Sequence, residues 1–133
     1  MLRVVYDLRE AEAHIAAVQD ATLHTDYAGL VSEHGLFGSG NWWRAVEDGR
    51  IPVRTVKGTI SRVYASGHND YPEFEVDDGA DRTQWTREGP DDAYVVGRAI
   101  QIDYVLQRYK KPLRIGPHSK SVLRILIDHE GSV

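Results

Sequence analysis

The residues best suited to chemistry gather in one short stretch, 66–72, where Ser66, His68, Asn69, Asp70 and Tyr71 bring together a hydroxyl, an imidazole, an amide, a carboxylate and a phenol. His68 and Asp70 are spaced to act as acid–base partners, or as two ligands of a metal completed from elsewhere. The same composition also makes a plain Asx turn. Asn69 and Asp70 would then bond local backbone, and Gly67 would supply positive φ. His68 and Asp70 are therefore the candidate catalytic pair of an enzyme that no other motif announces. The chain contains no H-E-x-x-H, P-loop, G-x-G-x-x-G or G-x-S-x-G.

A second constellation is basic. Arg108, Tyr109, Lys110, Lys111, Arg114 and Lys120 lie close together, with Tyr104, His118 and Arg124 nearby. Cationic side chains neutralise phosphates and tyrosines stack on bases, so this strip is the candidate contact for single-stranded nucleic acid. Its bland alternative is a solvated loop whose lysines protect an edge strand. Trp42 and Trp43 form a third group. Adjacent helical residues point about 100° apart. One indole is therefore expected in the core, with the other at a rim or in a contact between chains.

The acidic run Glu73, Glu75, Asp77, Asp78, Asp81 alternates with Phe74 and Val76 over its first half. That is the pattern of a strand with one solvated face, and it lacks the ligand spacing of an EF-hand. No metal site and no cofactor are expected. Cysteine is absent, which removes thiol chemistry and cysteine-ligated clusters.

The elements that must position these groups divide into two kinds. Helical spacing and stop signals predict helices over 8–23, 26–34 and 41–48, with caps at Asp7, Asp26 and Asn41. Residues 2–6 alternate weakly and fit a short lead-in strand. Five extended segments follow, over 53–66, 73–77, 82–87, 98–110 and 120–129. They are punctuated by Gly, Pro, Asn and Asp. Gly58 inside the first of these suggests a bulge or bend. Parity places Ile60, Phe74, Trp85, Ile100, Ile102 and Ile125 in one core, with Tyr104 and Leu106 on the same face of their strand as Ile102. The stretch Tyr94-Val95-Val96-Gly97-Arg98-Ala99-Ile100 resembles the aromatic-x-x-Gly lead into a strand of OB-like domains.

These signals predict an α+β protein with short N-terminal helices, 1–52, packed on a five-stranded antiparallel small β-barrel, 53–133, of OB-like or SH3-like form. The 133-residue length suits one compact unit. No apolar run reaches membrane-spanning length, and a signal peptide's basic-then-apolar order is missing, so a soluble cytoplasmic protein is expected. The charge of −4 divides into −4 over residues 1–50, −3 over 51–100 and +3 over 101–133. The expected function is that of a non-catalytic binding module for single-stranded nucleic acid or a protein partner. The alternatives are a small metal-dependent or hydrolase-like enzyme built on His68 and Asp70, and a homo-oligomer held through Trp42 and Trp43.

Overall fold

The computed structural model describes residues 1–25, 28–65, 71–113 and 116–129, and of 112, 113, 116 and 117 the backbone alone. The chain opens with β1 (Leu2–Asp7), a 3-10 turn (Leu8–Glu10), α1 (Glu12–His24) and α2 (Gly40–Glu47). Then come β2 (Arg54–Ala65), β3 (Pro72–Asp77), β4 (Arg82–Thr86), a second 3-10 turn (Asp91–Ala93), β5 (Ala99–Leu113) and β6 (Gly116–Asp128).

The strands form one six-stranded antiparallel sheet in the order β1-β6-β5-β2-β3-β4. It is open, with β1 and β4 at its ends, so the expected closed five-stranded barrel is corrected on both counts. Strand alternation marks which face is buried, but closure depends on the end strands meeting with matched shear, which alternation does not encode. The sixth strand is the weakly patterned N-terminus. β1 pairs with β6, Arg3 opposite Ile127 and Tyr6 opposite Ile125, with a register shift between Val4 and Tyr6.

The bend expected at Gly58 takes a different form. The register of β2 against β3 shifts between Ile60 and Arg62. Gly58 instead permits a close backbone approach, because a Cβ there would lie 2.2 Å from the Asp77 carbonyl oxygen. Glu73, Glu75 and Asp77 flank the buried Phe74 and Val76. The Glu75 carboxylate accepts hydrogen bonds from Ser61 at 2.9 Å and Gln84 at 3.2 Å, so it serves cross-strand pairing.

Two helices stand among the described residues where three were expected. α1 begins five residues after Asp7, which belongs to β1, and the helix's N-cap Ala11 supplies no side-chain bond. α2 is capped by Ser39, two residues earlier than the expected Asn41: the Trp42 amide donates to Ser39 Oγ at 3.3 Å. The predicted 26–34 helix does not form over its described residues. The Val31 amide donates to the Arg108 carbonyl at 2.8 Å and the Lys110 amide to the Gly29 carbonyl at 3.2 Å. Gly29 has φ +94°, outside the helical region, and its missing Cβ lets the chain pass within van der Waals reach of Thr22. Leu30 and Val31 were too little apolar content to hold a helix against strand pairing.

The chain divides into two compact units. The first comprises 1–7, 55–103 and 124–133; the second comprises 8–54 and 104–123. The buried side chains of the first include Ile60, Phe74, Trp85, Ile100, Ile102 and Ile125, the six expected core residues. Tyr94 joins them. Its hydroxyl donates to the Glu88 carbonyl at 2.6 Å and accepts from the Glu88 amide at 3.1 Å. Those of the second include Leu8, Leu30, Phe37, Trp42, Ile51 and Val105.

β5 departs from its expected parity. Ile100 and Ile102 are buried, but the next buried position is Val105, while Tyr104 and Leu106 are only half-buried. In the second unit the odd positions receive Trp42, whose indole Nε1 donates to Gln107 at 3.0 Å. Among the described residues no helix is long and apolar enough to cross a membrane.

Candidate functional site

The second unit carries a groove of about 290 Å³. The turn that follows α2 builds one wall. Gly49, at φ +82°, ends the helix, and the Ile51 amide returns to the Ala45 carbonyl at 3.0 Å. This carries Arg50 and Arg54 to the groove on either side of Pro52. The strapped segment after Gly29 supplies Val31, Glu33 and His34, β5 supplies Leu106 and Arg108, and β6 supplies His118. Ile51 and Leu106 give the groove an apolar part, and its charge is set by arginine.

The three arginines differ in their engagement. Arg50 Nε donates to both oxygens of Asp48, at 2.9 and 3.0 Å. That guanidinium holds the Asp48 carboxyl below its usual range, and the same bond raises Arg50. Among the described residues neither Arg54 nor Arg108 has a carboxylate partner for its guanidinium. Glu33 is the one carboxylate among the described lining residues. A second hollow of about 330 Å³ shares Glu33, His34 and Arg50 and adds Arg44, which is held by Asn41 at 2.9 Å. The result is a cationic concavity on a chain of net charge −4.

Among the described residues of the basic strip, Arg108 and its neighbour His118 line this groove. Lys110 turns elsewhere: its ammonium donates to the Thr22 carbonyl at 2.6 Å and to the Thr25 carbonyl. These are orphan acceptors at the end of α1, where a cation is favoured by the helix dipole. Tyr109 is half-buried and pairs through its backbone with Leu30. Lys111 and Lys120 are exposed, and Arg114 lies outside the described residues. Alternation along β5 sends Arg108 and Lys110 to one face and Tyr109 and Lys111 to the other.

Trp42 is 1% exposed and belongs to the core. Its ring meets Phe37 at 4.9 Å and Trp43 at 4.8 Å, both edge-on. Trp43 is half-buried, and the Arg9 guanidinium lies 4.0 Å from its ring centroid while also pairing with Glu47 at 2.9 Å. His68 and Asp70 lie outside the described residues. Among the described residues no group of three His, Asp or Glu side chains is placed to hold a metal ion.

Arg50, Arg54, Glu33 and His34 were not singled out in the sequence. They are separated by up to twenty-one positions, and nothing in their linear spacing relates them; the nearest signal was Pro52 between the two arginines.

A family model described as Immunity protein RhsI2 matches residues 2–127, nearly the whole chain. The chain belongs to the RhsI2 immunity protein family. None of the curated proteins matches it. Membership corrects the functional expectation drawn from the sequence. A module for single-stranded nucleic acid gives way to an RhsI2-type immunity protein, and so do the metal-dependent or hydrolase-like enzyme and the homo-oligomer. The described members of the basic strip divide: alternation along β5 separates Arg108 from Lys111, and the end of α1 takes up Lys110.

Proposed function

We propose that this protein protects its cell by binding a partner toxin and holding it inactive through a protein–protein interface. The match to the RhsI2 family over residues 2–127 is the observation that carries this reading. An immunity protein needs no reaction of its own, only a surface that occupies its partner. The exposed arginines of the second unit supply charged groups of the kind that speed encounter and fix orientation at an interface. Arg108 is carried forward as a contact residue in this role, now toward protein. Trp43, beside Arg9, is carried forward as a second contact, since half-exposed Trp–Arg pairs are frequent anchors of binding energy. The cytoplasm remains the proposed compartment, on the sequence expectation, and cell fractionation tests it.

The experiment is co-expression with the cognate toxin. Cells making the toxin alone should stop growing, and cells making both proteins should grow. The two should then elute together from a sizing column. Growth arrest despite equal levels of this chain would overturn the proposal, as would rescue without a complex.

A further inference from the structure

We infer that the arginine-lined groove of the second unit is a receptor for an acidic polypeptide segment, a stretch of Asp and Glu side chains on the partner toxin. This rests on the immunity reading and adds to it the chemistry of the partner.

Charge gives the first argument. Arg54 and Arg108 face the groove without a carboxylate partner among the described residues, against the single carboxylate of Glu33. A guanidinium presents a planar fork of donors that matches a carboxylate with two parallel bonds, so two such groups in one hollow are suited to paired acidic side chains. Arg50 already pairs with a carboxylate within the chain, its single Nε–H shared between both oxygens of Asp48. His34 and His118 add further donors on the rim.

The choice of polypeptide over polyphosphate has separate support. Among the described residues lining the groove there is no Trp, Tyr or Phe to serve as a platform for base stacking. Val31, Ile51 and Leu106 line it instead, and aliphatic side chains of this kind suit the methylenes and neighbouring apolar side chains of a peptide. The chain as a whole carries −4, which repels a polyanion at long range, while a short acidic segment on a larger protein feels mainly the local field.

The test uses the full chain and a labelled oligoglutamate peptide, read by fluorescence anisotropy at low salt. Arg54→Glu with Arg108→Glu should weaken binding by roughly tenfold or more. Lys57→Glu with Lys111→Glu makes the same change in net charge outside the groove and should leave binding nearly unchanged. Oligothymidylate of matched charge should bind more weakly than the peptide. Equal losses in the two double variants, no binding by the wild type, or tighter binding of the oligonucleotide would each overturn the inference. If the charge reversal lowers the melting temperature, Arg54→Gln with Arg108→Gln is read in its place, with a loss of about threefold expected. The growth assay separates the two levels of the argument. Protection by the wild type and equally by the Arg54→Glu, Arg108→Glu variant overturns the groove and leaves immunity standing. No protection by the wild type overturns immunity itself.

Discussion

Lys110 sits on a strand where a solvated side chain is expected, yet its ammonium closes the end of α1 through two backbone carbonyls. A charge-assisted bond to an otherwise orphaned acceptor is stronger than a neutral one. Lys110→Met keeps most of the aliphatic stem and removes the charge. It should lower unfolding stability by about 1–3 kcal/mol, read as the midpoint of urea denaturation. An unchanged midpoint would show that water serves those carbonyls equally well. Tyr94 and Tyr6 define a second prediction. Burial raises the Tyr94 hydroxyl well above the ordinary range, with the Glu88 carboxylate adding to the shift. Burial, then Glu88 and Asp7, push Tyr6 up to about 12. In the unfolded chain both ionise near pH 10. Their contribution is intact below that pH and is lost as pH rises toward the folded value. Stability should fall by up to about 1.4 kcal/mol per pH unit in that window for Tyr94, and by less for the more exposed Tyr6. Thermal melts across the alkaline range check this. Tyr94→Phe should flatten the fall, and an unaltered slope would mean that other groups control it. None of this was visible at single positions in the sequence. Lys110 read as a surface base because the sequence shows a residue's strand but not the helix end lying beside it.

Elements were legible where burial alternates cleanly and illegible where a partner strand decides. β3 reads directly from the sequence: Phe74 and Val76 turn inward and three carboxylates turn away. The same parity rule correctly placed Ile102, which is fully buried. Ile102→Ala should therefore cost about 2–5 kcal/mol, measured by thermal or chemical unfolding. A cost near zero would mean that its strand tolerates a cavity there. The rule failed three residues later, because Val105 is covered while Tyr104 and Leu106 are not. That change depends on Trp42 reaching Gln107 across sixty-five positions, which no local window contains. The segment after Gly29 failed for a related reason. Its helical signal was weak, and β5 offered backbone partners that local propensity does not count. Gly29→Ala tests this strap. At φ +94°, with a Cβ 2.5 Å from Thr22, the substitution should cost about 1–3 kcal/mol, and a melting temperature equal to the wild type's would show that the segment relaxes freely.

At the scale of the whole molecule, charge is sorted in a way that composition only hints at. Residues 101–133 carry a net +3, but among the described residues the basic side chains the groove draws from them are Arg108 and His118, and it takes Arg50 and Arg54 from the acidic first half. The candidate site was legible only in Arg108 and His118, its members from the basic strip. The rest needed the chain to return from the end of α2 before the residues could meet. That returning path also shapes what inheritance can do with this protein. The backbone passes between its two units four times, after Asp7, Arg54, Asp103 and Leu123. No single recombination point between two family members can therefore exchange one unit whole. A crossover near residue 53 would graft α1 and α2 of one parent onto β5 and β6 of another, pairing Trp42 with a foreign Gln107 and Lys110 with a foreign helix end. If partner choice resides in the groove, switching it by exchange requires a paired transplant of 8–54 and 104–123, while point changes at the groove remain open at every generation.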